Sequence, residues 1–260
     1  MKIKIYEVDA FTSCLFGGNP AAVCPLESWL SDETMQNIAM ENNFSDTAFY
    51  VNEKGRLKIR WFTPKAEVDL CGHATLATAH VLFNHEGFTG DEITFDSLSG
   101  PLKAKRNGEL ITLDFPADIV TPTPMTEEFK KAFDILPTEI WKGKTKHMFV
   151  YGSEDDINNI KPNFGSIATA FAGGVIITAK GKNSDFVSRF FAPALGVNED
   201  PVTGSAHSLL IPYWANKLDK TSLTAVQLSS RKGHLQCTLS GDRVLIGGNA
   251  KTYLIGTIEL

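Results

Sequence analysis

At 260 residues, with 43% apolar and 21% charged side chains, the chain has ordinary globular composition and room for two domains of about 100–150 residues. A net charge of −5 and the lack of any basic run argue against a nucleic-acid partner. No apolar run nears the ~20 residues of a membrane span, the first residues lack the apolar core of a signal peptide, and the cysteines at 14, 24, 71 and 237 show no metal-ligand spacing, so reduced thiols in a cytoplasmic protein without a membrane partner are expected.

Residues 2 to 8 alternate like a strand. Gly17-Gly18-Asn19-Pro20 reads as a turn with a strand after it, where Asn19 either satisfies the turn or donates to a substrate. Ser31 is an expected helix N-cap, followed by Asp32 and Glu33 in the first turn, and Asn42-Asn43 ends that helix. Asp46 sits between that helix end and the strand Ala48–Val51, a position that suits a turn residue or a group projecting into a site. Leu57, Ile59 and Trp61 alternate with basic residues in a half-exposed strand.

The run from Gly72 to Phe83 is helical in composition and apolar almost all round, so it should be buried. Its N-terminus would then offer free N–H groups and partial positive charge to an anion, with Cys71 and His73 at the mouth; Gly87 is an expected C-cap. Asp118 to Pro124 reads as a stiff link without regular structure. Beyond it, Thr126 and Ser153 should cap short helices, Pro162 should end the second, and strands are expected at 146–151, 175–177, 186–191, 235–239, 243–247 and 253–260. Pro212, inside a second apolar helix, is expected to kink or shorten it.

That second helix belongs to a repeat. Asp200-Pro201-Val202-Thr203-Gly204-Ser205-Ala206-His207 and the apolar run after it echo Asp69 to Phe83, with Gly204 lying 132 residues beyond Gly72. Arg60-Trp61-Phe62-Thr63-Pro64 matches Arg189-Phe190-Phe191-Ala192-Pro193 at an offset of 129, so the second loop is three residues longer. A drifting offset near half the chain length reads as a duplicated domain. Two lobes would then bring two helix N-termini to one cleft. Asp46 has Ala172 as its counterpart, so it does not serve a turn geometry shared by both lobes.

The polar residues aimed into such a cleft are Asp46, Cys71, His73, Asp200 and Ser205. Helix N-termini could hold a carboxylate through the backbone N–H groups of His73 and Ser205 and make its α-proton more acidic, while a carboxylate and a His nearby move the proton. This combination fits racemisation, epimerisation or double-bond migration without a cofactor. Nucleophilic readings are weaker, since Thr203-Gly204-Ser205-Ala206 is no nucleophile elbow. A metal site from His73, His80 and His207 would draw its ligands from different helix faces, so no metal is expected.

Gly18-Asn19-Pro20-Ala21-Ala22-Val23, Cys71-Gly72-His73-Ala74-Thr75, Glu199 to His207 and Gly247-Gly248 together resemble the PhzF-like isomerase family of phenazine biosynthesis-like proteins, on the diaminopimelate epimerase-like fold. The resemblance spans the full length. It implies an α+β fold of two pseudo-symmetric lobes, each a mixed sheet curled around a central buried helix, here 1–117 and 118–260 with the last strand free to cross to the first lobe. It also implies a cofactor-free proton shift on a small carboxylate-bearing substrate and a homodimer. Ser45-Asp46-Thr47 takes the place of the family's Ser-Glu-Thr, so Asp46 falls on the acid/base carboxylate, assisted by His73 and Asp200. Ser205 falls on the substrate-anchoring Ser, and Asn19, Gly72, Gly204 and Ala206 join it as expected substrate-binding positions. Asp46 is one methylene shorter than Glu, and the second loop has no Cys to partner Cys71 in a two-thiol epimerisation. The alternatives are an amino-acid-like racemase or epimerase using Asp46 with His73 or Cys71, and a non-catalytic small-molecule binding protein.

Overall fold

A computed structural model describes all 260 residues, in an α+β fold with two compact units, Met1–Asp114 with Gly247–Leu260, and Phe115–Ile246. No helix is long and apolar enough to cross a membrane. No disulfide joins any of the four cysteines, and burial pushes the Cys24 thiol up to about 12.

In the first unit, Lys2–Ala10 lies between Ala250–Glu259 and Asn19–Leu26, antiparallel to both. From there the sheet runs through Thr47–Glu53 (parallel), Arg56–Phe62 (antiparallel), Glu92–Ser97 (parallel) and Gly100–Asn107 (antiparallel). Helix α1 (Asp32–Asn42) begins where Ser31 Oγ accepts the Thr34 N–H at 3.1 Å and stops at left-handed Asn43. Met35, Ile38 and Ala39 press it onto Phe49 and Phe62, one face of the sheet. Helix α2 (Gly72–Asn84) fills the other face, with ten of its thirteen residues buried. It touches the strands Lys2–Ala10, Asn19–Leu26, Thr47–Glu53, Gly100–Asn107 and Ala250–Glu259, so the sheet curls around it. The helix ends at His85, two residues before the expected Gly87, because the His85 N–H still bonds Val81 O.

The second unit repeats the sequence of pairings. His147–Val150 pairs parallel with Val175–Lys180, which pairs antiparallel with Phe186–Ala192, then parallel with Ser222–Gln227 and antiparallel with Gly233–Ser240. Helices α3 (Glu127–Lys130), α4 (Glu154–Asn159) and α5 (Phe164–Ala170) carry side-chain caps from Thr126, Ser153 and Asn163. The buried helix is α6 (Gly204–Leu218), against Ser222–Gln227 and Gly233–Ser240.

Two expectations are corrected. Thr121–Pro122 in the link forms a short antiparallel pairing with Trp141 and Lys142, since Pro can occupy a sheet edge. Pro212 does not shorten α6, which runs fifteen residues through it. A proline removes the N–H that would bond the carbonyl four residues back, here Ser208 O. Asp118 supplies that bond instead, its N–H meeting Ser208 O at 3.0 Å. The carbonyl is satisfied and the helix continues.

Each unit carries its own copy of one ion pair. Arg60 grips Glu67 through Nε and Nη2 at 2.6 and 2.7 Å and covers the Phe62 ring. Arg189 grips Glu199 through the same atoms at 2.7 and 2.9 Å and covers Phe191. Each clamp pins the loop that leads into a buried helix.

Candidate active site

The six helices divide by how they begin. The four peripheral ones, α1 and α3 to α5, have a side chain bonded to their first turn. At α2 and α6 the N-cap residues are Cys71 and Thr203, and neither caps the helix with its side chain. The free N–H groups of a helix start then depend on water or a ligand.

In the first unit, five of the expected site residues, Asn19, Asp46, Cys71, Gly72 and His73, meet at the start of α2. Gly18 has φ +61°, and a Cβ there would lie 2.0 Å from Ala10 O, so only glycine permits the turn that delivers Asn19. Asn19 is fully buried, and its Oδ1 accepts from Ser45 Oγ at 3.2 Å. Ser45 and Asp46 follow Asn43, whose left-handed backbone reverses the chain after α1, and the Asp46 carbonyl is fixed by the Ala22 N–H at 3.3 Å. His73 lies in the first turn of α2 with Nε2 3.2 Å from Ser45 Oγ and 3.7 Å from Asp46 Oδ2. Its Nδ1 lies 3.4 Å from Cys71 Sγ. Burial lowers the His73 pKa to about 3, so the ring is neutral at ordinary pH.

The donor atoms of Asp46, Cys71 and His73 all lie within 4.8 Å of one another, a grouping that the spacing of the cysteines and histidines did not reveal. Donors on a tetrahedral zinc ion stand roughly 3.3–3.8 Å apart by its bond lengths. Here the carboxylate faces Nε2 and the thiol faces Nδ1, so an ion on one ring nitrogen would need the other donors to draw in.

In the second unit, Asp200 is half-buried just ahead of α6, and its Oδ2 accepts from Thr203 Oγ1 at 2.5 Å. Gln227 braces this loop twice: Nε2 donates to Asp200 O at 2.8 Å and Oε1 accepts the Thr203 N–H at 2.9 Å. Gly204 opens the helix, Ser205 is half-buried in its first turn, and Ala206 is buried. His207 is fully buried with Nδ1 2.8 Å from Thr203 O, and burial lowers its pKa to about 4. Thr203 and Gln227 were not among the expected site residues. Thr203 lies within the repeated motif, but Gln227 ends a strand 24 residues away and only folding joins them. His80 bonds Thr252 from the far part of α2 and takes no part in either cluster.

The family model described as phenazine biosynthesis-like protein (PhzC-PhzF) matches residues 8–256. An uncharacterized isomerase of Pseudomonas aeruginosa is 49% identical over the whole of both chains. The mouse phenazine biosynthesis-like domain-containing protein 2 is 41% identical, covering 99% of each. Among solved structures, a PhzF family protein of Enterococcus faecalis superposes with a TM-score of 0.97 at 46% identity over 100% of both chains. A hydroxyproline epimerase of Agrobacterium vitis, at 9% identity and a TM-score of 0.64 over 99% of this chain and 92% of its own, shares the fold alone. With its whole length matched by relatives named isomerases, the chain is an isomerase-type enzyme that belongs to the phenazine biosynthesis-like family.

Proposed function

We propose that this enzyme moves a proton on a small carboxylate-bearing substrate without a cofactor, and that Asp46 carries the proton. The observation behind this is a buried carboxylate 3.7 Å from a neutral His73 at the start of a buried helix that no side chain caps. The helix end takes the substrate carboxylate. Asp46 breaks a C–H bond and forms its own O–H bond, and the electron pair left on carbon delocalises toward the bound carboxylate, where N–H groups stabilise the charge. Asp46 then returns the proton to another carbon, so atoms and electrons balance and the carboxylate is regenerated.

Asp200, Ser205 and the uncapped start of α6 offer a second anion-binding helix start in this proposal. Asp46 ends about one C–C bond short of a Glu at the same place, so the substrate must sit correspondingly nearer to it. A homodimer in the cytoplasm completes the proposal, and sedimentation of the purified protein tests the assembly.

The decisive experiment incubates the protein in D2O with a panel of small β,γ-unsaturated acids, hydroxy acids and amino acids, and follows deuterium uptake by mass spectrometry. Uptake with double-bond migration in the parent, absent in Asp46→Asn, supports the isomerase. Uptake with loss of optical rotation alone makes the enzyme a racemase. A ligand that binds without any exchange would reduce the protein to a binder. A crystal grown with malonate tests each helix start: one that binds no anion drops out of the proposal.

A further inference from the structure

Four side chains in the first unit form a continuous line of hydrogen-bonding atoms, and the direction of that line can be deduced. Ser45 Oγ lies 3.2 Å from Asn19 Oδ1, to which it donates, and 3.2 Å from His73 Nε2. A hydroxyl has a single proton, and an amide oxygen only accepts. With that proton given to Asn19, the bond between Ser45 and His73 must be donated by the ring Nε2–H. A neutral imidazole has one N–H, so Nδ1 is bare and needs a donor. Cys71 Sγ stands 3.4 Å from Nδ1 and has a proton to give.

The opposite direction fits less well. It needs His73 to donate from Nδ1 to sulfur, a weak acceptor, and takes the thiol proton away from the ring. It also needs Ser45 to turn its proton onto Nε2, which strips Asn19 Oδ1 of this donor. A thiolate with an imidazolium would be the other arrangement, but burial lowers the His73 pKa to about 3 and keeps the second ring proton off.

The geometry points to Cys71 as a positioning residue whose thiol holds His73 in the Nε2–H tautomer, with Ser45 and Asn19 fixing the other end of the line. His73 then presents an N–H on the side of Asp46 and cannot compete with it for the substrate's proton, because its basic nitrogen is turned to the sulfur. A buried acceptor that loses its donor is destabilised enough to change the balance between two tautomers. The effect on turnover rests on the proposal that Asp46 is the proton carrier; the tautomer does not.

The experiment is a long-range nitrogen–proton correlation spectrum of the histidine-labelled protein, with the His73 signals assigned by their loss in His73→Gln. The parent should show protonated Nε2 and bare Nδ1 near neutral pH. Cys71→Ala, which removes the donor, should give a mixture of tautomers, and Cys71→Ser, which keeps one, should restore the single form. In turnover, Cys71→Ala should lower kcat about tenfold, the equivalent of about 1.4 kcal/mol, with KM little changed and Cys71→Ser close to the parent. A parent ring protonated on Nδ1, an imidazolium, or a tautomer unmoved by Cys71→Ala would each overturn the assignment. These readings need no substrate, so an Nε2–H ring in a protein without isomerase activity would sink the proposed function and leave the tautomer assignment standing. Should Cys71→Ala fail to fold, the parent spectrum and Ser45→Ala, which frees the other end of the line, still decide.

Discussion

Arg60 holds Glu67 in a two-bond clamp, Nε to Oε1 at 2.6 Å and Nη2 to Oε2 at 2.7 Å, with side chains only 22% and 26% exposed. Bidentate, partly buried pairs of this kind are stronger than ordinary surface pairs. The clamp anchors the loop that ends at Cys71. A double-mutant cycle with Arg60→Met and Glu67→Gln should give a coupling of about 1–2 kcal/mol in urea denaturation. The single variants should also slow turnover, since the start of α2 loses its anchor. A coupling near zero would mean the pair is held by packing alone.

Asp46→Asn should lower turnover by at least about 100-fold, the lower range of general acid–base contributions, while the melting temperature stays within about 2 °C of the parent. Asn has the same size and can still form the turn, but it cannot take and return a proton. Asp46→Glu should lower turnover about tenfold or more, because its oxygen overshoots a substrate seated for Asp and ~1 Å of misplacement is costly. Steady-state kinetics beside thermal melts check both. Near-parental turnover in Asp46→Asn would move the base elsewhere.

Burial lowers the pKa of His73 to about 3 and of His80 and His207 to about 4. In the unfolded chain they titrate near 6.5. Between these values the unfolded state binds protons that the folded state refuses, so folding stability is fully retained above about pH 6.5 and lost as the pH falls toward 4. Each ring contributes a limiting slope of about 1.4 kcal/mol per pH unit. Urea denaturation should therefore be insensitive to these groups on the alkaline side and weaken steadily below pH 6.5. His80→Gln should flatten that slope by about one proton; an unchanged slope would show that carboxylates alone govern it.

Gly18→Ala should be strongly destabilising. The added Cβ would lie 2.0 Å from Ala10 O, a backbone atom, at φ +61°. The strand bearing Asn19 would have to move, at a cost of roughly 2–4 kcal/mol, and the Ser45–His73 contact would move with it. Chemical denaturation reads the first effect and turnover the second. A variant as stable as the parent would show that the turn is free to rearrange.

Much of this was legible because it is local. Ser31, Thr126 and Ser153 cap the helices that they announce, and the apolar runs after Gly72 and Gly204 are the buried helices. What escaped depends on long-range closure. The short helix Phe164–Ala170 and the strand Ser222–Gln227 have weak periodicity and gain their form from packing. The repeat and the family resemblance bring Asp46 and His73 together, but the Ser45 hydroxyl that joins His73 to Asn19 depends on how Asn43 reverses the chain. The full length of α6 escaped because the local rule counts the N–H that Pro212 lacks and not the Asp118 N–H that takes its place.

That replacement has a consequence for how a duplicated chain sorts itself. Two halves with the same pairing order offer each segment two nearly equivalent berths during folding, and such chains are prone to exchange elements. Helix α2 contains no proline, whereas Pro212 in α6 leaves Ser208 O open to a visitor. The Asp118 segment has somewhere to dock on one helix and nowhere on the other. Pro212 thus serves as an address that tells the halves apart. Filling it with Pro212→Ala should speed hydrogen exchange at the Asp118 amide and raise the share of misassembled chains on refolding.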